Sequence, residues 1–482
     1  MSCTLENEVS DIVTKYDQGH LLTFYEGLSK DRKYELKQNI RFANIAEACE
    51  GFQRCLSAVP CKPENLRPIP SNSYMCRKDL TEDSLKTYRT AGIRAIASGK
   101  IAAIVLAGGQ ATRLGASVPK GALPLGMKLT EGDNLLSLQA AQIVKLQALA
   151  KEAYPGEAER TGGKILWLIM TSKPTRQATE ECVAAIKVEH GLVDDQVVLF
   201  DQPTVPCFEK NGKILLSEKW ALSSAPNGNG GLYSGIEGFL PLMKKKGIEY
   251  IHVYCVDNVL CRIADPYFLG AGIVRNADCA AKVVEKQEPR EAVGVICQLA
   301  DSGNYSVIEY SELSESLAAQ LDDAGKKLAF RAGNIANHLF SMTFLERVVC
   351  GGIVLPYHQA EKKIPYVDLS SGEKKSPSTP NGIKMEKFIF DVFPFAKNFF
   401  AWEVERKEEF APLKNADSAG RDCLSTCRAS LYAEHQRRLR VAGFTQTKDV
   451  LIPIAVSYDG EGLDHYKKTG EQVPLIECVC QP

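Results

Sequence analysis

No stretch of the 482-residue chain stays apolar for the roughly 18 residues that a membrane-spanning helix requires. The longest apolar runs, 101–107 and 165–170, have the length of buried strands instead. Charge of one sign is also missing. The 58 basic residues face 59 acidic ones, so no overall field draws the chain to nucleic acid or to an anionic membrane. A local basic pocket for one small anion stays open. The sixteen cysteines contain no CxxC pair, and no histidine stands beside a cysteine pair at zinc-finger spacing; Cys423 with Cys427 and Cys478 with Cys480 are the nearest neighbours. The N-terminus, MSCTLENEVSDIV, has no basic patch followed by an apolar stretch, so no secretory signal is expected. The expectation is a cytoplasmic protein whose thiols are reduced and fill small core positions.

What is present is ordinary globular material, 45% hydrophobic and 24% charged, enough for two or three domains. Residues 1–95 read as a helical supporting domain. Ile12, Tyr16, Leu21, Tyr25 and Leu28 recur at helical spacing, the prolines at 60, 63, 68 and 70 break helices, and a further helix is expected over 79–97. From Lys100 strand-length apolar runs alternate with amphipathic stretches. Strands are expected at 101–107, 164–171, 196–200 and 249–256, and helices at 134–150, 179–190 and 232–245. This β-α-β rhythm predicts an α/β fold: a Rossmann-like, mixed but mainly parallel sheet with helices on both faces. Ligands then gather beyond the carboxyl ends of the strands. Asn211-Gly212 marks a hairpin within 208–216, 281–310 holds three further short strands, and 370–381 is a polar loop. The expected division is 1–95, a central domain over 96–416, and a small C-terminal domain over 417–482 with a helix to about Val441.

The strongest chemical signal is Leu106-Ala-Gly-Gly-Gln-Ala-Thr-Arg-Leu-Gly115, followed by Pro119-Lys120, directly after the first central strand. Gly108 and Gly109 allow a sharp turn and a close approach of backbone to ligand. Exposed amides in such a turn make an anion-binding concavity, and Arg113 and Lys120 add positive charge suited to a polyphosphate. The Walker pattern is excluded, because Lys120 precedes Gly121 rather than following a glycine ahead of Ser or Thr; the dinucleotide fingerprint GxGxxG is absent. A glycine-rich structural turn with surface cations is the alternative for this loop taken alone.

LAGGQ-x-TRLG-x3-PKG resembles the nucleotide loop of the eukaryotic UDP-N-acetylglucosamine (UDP-N-acetylhexosamine) pyrophosphorylases. The resemblance continues in family order through APNGNGGLY (225–233), VYCVDN (253–258), EYSE (309–312), GNIANH (333–338), KKIPY (362–366), GIKMEKF (382–388) and APLKNAD (411–417). It implies a nucleotidyltransferase fold of GT-A-like type. The implied reaction is UTP with N-acetylglucosamine 1-phosphate giving UDP-N-acetylglucosamine and pyrophosphate, with Mg²⁺ or Mn²⁺. That chemistry needs neutralised charge and in-line positioning rather than a protein nucleophile. A monomer or weak homo-oligomer, with no nucleic acid or membrane partner, is expected.

The resemblance also implies roles. Asp257, at a strand's carboxyl end, becomes the Mg²⁺ ligand; a strand-end Asp capping the next turn is the plainer reading. Lys120 and Lys384 contact UTP phosphates, Lys414 the phosphate at the reacting centre, and Arg113 the departing pyrophosphate. Leu106, Ala107, Gly108, Gly109, Gln202 and Gly228 serve the uracil end, where Gln202 can both donate and accept. Asn229, Glu309, Tyr310 and Asn334, with Lys414, serve the sugar; His338, four residues after Asn334, is kept out of the site as a brace for that turn. Surface lysine, surface glutamine and turn asparagine are the plain alternatives at these positions.

Departures bear on substrate breadth. Ala111 stands where the family usually has Gly, Asn227 where it has Asp, and Asp201–Pro206 replaces a QQGMLP-like run; Ser234-Gly235 also differs. UDP-glucose or broad UDP-sugar synthesis is the nearer alternative, and LAGGQ speaks against it. A non-catalytic UDP-sugar-binding protein and a dinucleotide oxidoreductase are the alternatives of other classes.

Overall fold

The computed structural model describes residues 2–57, 62–127, 132–445 and 448–477. Pro60, Cys478 and Cys480 lie outside them. Two compact units are built from interleaved segments. One gathers 1–61, 202–235 and 353–392; the other gathers 62–201, 236–352 and 393–482. Residues 1–61 and 62–95 therefore fall in different units, and the C-terminal residues group with the large sheet.

The large sheet forms from the continuous apolar runs. Its strands are β1 (Leu66–Pro68), β2 (Tyr74–Cys76), β3 (Ile101–Leu106), β4 (Leu166–Thr171), β5 (Val197–Asp201), β6 (Tyr250–Cys255), β7 (Cys279–Glu285), β8 (Val295–Leu299), β9 (Tyr305–Ile308), β10 (Ala332–Ser341) and β11 (Phe399–Val404). The order is β2-β11-β7-β10-β6-β3-β4-β5, with β8 against β10 and both β1 and β9 against β8. β3, β4, β5 and β6 run parallel, as do β2, β7 and β11; β10 runs antiparallel between β6 and β7. All side chains of β3 and β4 are buried, as two-sided coverage demands.

Helices α1 (Glu82–Ala97), α2 (Leu135–Ala153), α3 (Arg176–His190), α4 (Pro266–Val274) and α5 (Leu424–Val441) belong to this unit. Thr81 and Asn134 cap α1 and α2 by accepting backbone N–H bonds. The single helix expected over 232–245 is instead two short ones, Leu232–Ile236 and Leu240–Lys245, with a 3-10 turn at Glu237–Phe239. Pro241 has no amide for an unbroken ladder and starts the second helix instead.

Charges are also buried in the sheet unit. Lys282 of β7 is fully buried, with its Nζ 2.6 Å from Asp265 and against Glu409. Arg262 pairs with Asp459 at 2.8 Å and with Glu434 at 3.4 Å. Burial alone would raise the Asp265 carboxyl, but Lys282, Arg77 and Arg262 hold it well below the usual carboxylate range.

The other unit has its own apolar core. Phe52, from the helix Ile45–Ser57, stacks on Phe208 at 4.7 Å. A three-stranded sheet joins His358–Lys362, Gly382–Glu386 and Phe208–Glu209, and Gly212 turns the expected hairpin with φ 86°. No helix among the described residues is long and apolar enough to cross a membrane, and no disulfide joins the described cysteines.

Candidate active site

In the sheet unit, Leu106 of β3 lies in register with Cys255 of β6. Gly108 and Asp257 each stand two residues beyond that pair, at the same carboxyl rim. The loop after β3 folds back on itself. Ala111 N–H donates to Val118 at 3.1 Å, Lys120 N–H to Gly109 at 3.1 Å, and Ser172 Oγ–H to the Gly108 carbonyl at 2.7 Å. Among the described residues no acceptor engages the Gly108 or Gly109 amide. Neither glycine has positive φ, so close approach rather than left-handed geometry is what they supply. A Cβ built on Gly109 meets nothing within 4 Å. Ala111 sits at φ −86°, a conformation open to any residue, so its replacement of Gly carries no backbone strain. Arg113 is exposed on the 3-10 turn Thr112–Leu114.

The fold-back carries Lys120 to Asp257: Nζ lies 3.3 Å from Oδ2, both side chains being about one-fifth exposed. Lys414 arrives from a distant part of the sequence. Leu413 N–H donates to the Asp257 carbonyl at 2.8 Å. Asn258 binds the same segment from its side chain, donating to the Glu409 carbonyl at 2.7 Å and accepting from Ala411 N–H at 2.9 Å. Lys414 itself is exposed. The three charges meet around Cys255. Burial and the Asp257 carboxylate push its thiol up to about 12, against the pull of Lys414 and Lys120.

Glu309 and Asn334 come together through Gly294. Asn334 N–H donates to the Gly294 carbonyl at 2.8 Å, and a Cβ on Gly294 would stand 3.1 Å from Glu309 Oε1. Asn334 lies within strand β10, not in a turn, beside a bulge where β7 shifts register. Its Oδ1 accepts from Ala336 N–H and from His338 Nε2, both at 3.1 Å. Burial pushes the His338 ring down to about 3, so the ring is neutral and Nε2 carries the proton. Tyr310 is 54% exposed next to Glu309.

The remaining candidates belong to the other unit. Gln202 Nε2 donates to the Gly228 carbonyl. Gly228 has φ 69°, and a Cβ there would run into the Lys387 carbonyl, so only glycine fits. Asn229 Oδ1 accepts from Ile389 N–H at 2.9 Å and Gly230 N–H donates to Lys387 at 2.8 Å, which binds the 227–231 loop to the chain following Gly382–Glu386. Lys384 is half-buried in that strand opposite Ala360. Its ammonium acts on Cys207, whose thiol burial raises while Ser223 and Lys384 pull it down.

Gly294 and Asn258 escaped the sequence reading. Asn258 stood inside a matching block without a role, and Gly294 gave only the signal of a glycine before a short strand.

The model of the UTP–glucose-1-phosphate uridylyltransferase family matches residues 48–477. The chain is 45% identical over 464 residues to the "Probable UDP-N-acetylglucosamine pyrophosphorylase" of Caenorhabditis elegans, covering 95% of this chain and 94% of that one. It is 38% identical over 479 residues to the UDP-N-acetylglucosamine pyrophosphorylase of Saccharomyces cerevisiae, with 93% and 95% covered. The crystal structure of the uridine diphosphate N-acetylglucosamine pyrophosphorylase from Trypanosoma brucei, in complex with inhibitor, superposes with a TM-score of 0.81 at 27% identity, covering 96% of this chain and 95% of that one. Sheet order, the rim that joins Gly108 to Asp257, and likeness along nearly the whole length agree: the chain belongs to the UDP-N-acetylglucosamine pyrophosphorylase family, within the wider family of UTP–glucose-1-phosphate uridylyltransferases.

Proposed function

We propose that the chain is a uridylyltransferase that makes UDP-N-acetylglucosamine and pyrophosphate from UTP and N-acetylglucosamine 1-phosphate. The observation that carries the reading is the meeting of Lys120, Asp257 and the Lys414 segment beyond β3 and β6, beside two unengaged glycine amides. A phosphate oxygen of the sugar phosphate attacks the α-phosphorus of UTP. The bond to the bridging oxygen breaks, and pyrophosphate leaves with that electron pair. Both reactants are anions, so the barrier falls when fixed positive charge faces them.

Residues take roles accordingly. The Gly108 and Gly109 amides cradle the nucleotide, and Lys120 neutralises its phosphates. Lys414, exposed on a segment tied to Asp257, holds the attacking phosphate in line. Arg113 screens the leaving pyrophosphate, and Lys384 serves a second UTP phosphate. Gln202 and Gly228 read uracil; Asn229, Glu309, Tyr310 and Asn334 orient the sugar.

Among the described residues no group of three or more His, Cys, Asp or Glu is placed to hold a metal ion. The available donor is one carboxylate, Asp257, with an oxygen left beside its contact with Lys120. That set fits Mg²⁺, which keeps several waters and binds through one or two carboxylates together with substrate phosphates. Bound there, the ion would neutralise phosphate charge.

The choice of N-acetylglucosamine over glucose rests on the names of the relatives at 38% and 45% identity. We read the enzyme as cytoplasmic, acting as a monomer or weak homo-oligomer. Pyrophosphate release from UTP with a panel of sugar 1-phosphates tests the reading. N-acetylglucosamine 1-phosphate should give the highest kcat/KM. Equal or better turnover of glucose 1-phosphate would overturn the choice of sugar, and absence of pyrophosphate release would overturn the enzyme.

A further inference from the structure

Beyond the carboxyl ends of β7 and β11 lies a cleft of about 650 Å³ that the proposed reaction leaves unused. β10 separates β7 from β6, so this cleft opens on a different stretch of the rim from Asp257. Lys286 lines it, directly after β7, and is only 3% exposed. Among the described residues no carboxylate lies within 4 Å of its ammonium. Arg406 lines the same cleft, and its Nε is buried without an acceptor.

The cleft's acidic groups are already engaged. Glu285 is 2.9 Å from Lys327, Glu405 is 2.9 Å from Lys78, and Glu403 accepts from Tyr74 and from Cys76. Nearby Glu291 pairs with Arg406 through Nη2. Lys286 is thus left without a paired acid, and the exposed Lys326 and Lys407 add to the surplus. An ammonium drawn largely out of water without a contact ion pair is costly, and burial does lower Lys286 from its ordinary value, with the more distant Glu291 pushing back. Such an arrangement gains stability when an external anion supplies the missing partner.

We propose that this cleft binds a phosphate monoester or inorganic phosphate dianion, held by the Lys286 ammonium and the Arg406 Nε–H. Lys326 and Lys407 supply the surrounding positive field. The shared chemistry is a compact phosphate with two negative charges, from a small phosphorylated metabolite or from free phosphate.

Calorimetric titration of the full chain with inorganic phosphate and, separately, with glucose 6-phosphate tests this. Each is run alone and with saturating UDP-N-acetylglucosamine. At least one probe should saturate a single site whether or not the nucleotide sugar is present, and the tighter probe identifies the source. Lys286→Met should weaken that binding roughly tenfold or more, and Lys286→Arg should retain most of it. Pyrophosphate release without added probe should be unchanged in both variants. If Lys286→Met does not fold, as thermal unfolding will reveal, Arg406→Lys gives the same readout by removing the Nε donor. No saturable site for either probe, full displacement by UDP-N-acetylglucosamine, or undiminished binding to the variants would each overturn the site. The titrations without nucleotide stand apart from the proposed reaction, so failure of one does not imply failure of the other.

Discussion

Leu413 and Asp257 are joined by a 2.8 Å hydrogen bond from the Leu413 amide to the Asp257 carbonyl. This main-chain link fixes the residue before Lys414 at the end of β6. Asn258 reinforces it through two side-chain bonds to the Glu409 and Ala411 backbone, and it is 6% exposed. Replacing Asn258 by Ala frees the segment while leaving every charged group in place. The expected result is a fall in kcat of about 10², since a small misplacement at the reacting centre costs that much, with the KM for UTP changed little. Steady-state kinetics check it; an equal fall in both substrates' affinities without loss of kcat would count against a positioning role.

Lys414→Met should lower kcat by about 10² or more, as expected of a donor that acts chiefly in the transition state. Lys120→Met should combine a loss of that order with a raised KM for UTP. Single-turnover pyrophosphate release separates the two. Wild-type kcat in Lys414→Met would remove Lys414 from the reacting centre.

Asp257→Asn keeps the side chain's shape and removes its charge. The expectation is loss of turnover by at least about 10² together with a rightward shift of the Mg²⁺ titration. An unchanged metal dependence would point to another ligand.

Gly294→Ala places a methyl against Glu309, with 3.1 Å to Oε1 and 3.0 Å to Val307. Glu309 has to move, so the KM for sugar phosphate should rise about tenfold, the loss expected for a displaced hydrogen bond to a charged group. The KM for UTP should hold. A matched rise in both would mean general disruption rather than a local effect on the sugar side.

Three buried histidines set a stability profile against pH. Burial pushes His252 down to about 4, and both His338 and His435 to about 3. Their unfolded value is about 6.5, so below it the unfolded chain takes up protons first. Stability is therefore full above about pH 6.5 and declines as pH falls, by roughly 2 kcal/mol per histidine at pH 5. Thermal unfolding should show a Tm well below the pH 7.5 value by pH 5. His252→Gln should recover part of the difference relative to its own neutral-pH value. A flat Tm across that range would contradict the burial effect.

The parallel strands, and the rule that ligands gather at their carboxyl ends, could be read directly from the sequence because apolar runs and strand length are local properties. That was enough to single out Gly108, Lys120 and Asp257. Lys414 carried no such signal. Its relation to Asp257 depends on a hydrogen bond between segments far apart in the chain, and the family resemblance, with the apolar Pro412-Leu413 before it, pointed to it. The φ of Ala111 was equally out of reach, since the fold-back fixing it comes from Val118 and Lys120. The helix expected over 232–245 broke because hydrophobic spacing outweighed Pro241 in the reading but not in the fold. Composition also divides a chain only into contiguous pieces, whereas Phe208–Glu209 pairs with Gly382–Glu386.

That pairing constrains how the protein is born. The smaller unit draws on 1–61, 202–235 and 353–392, so its last strand leaves the ribosome only after most of the 482 residues have been made. Its early helices, including the one that carries Phe52, find Phe208 first, but part of their apolar core stays open until Val367, Ile383 and Met385 arrive. Nascent chains halted before residue 382 should accordingly be held by chaperones or attacked by proteases over that N-terminal stretch, and chains released after 392 should escape both.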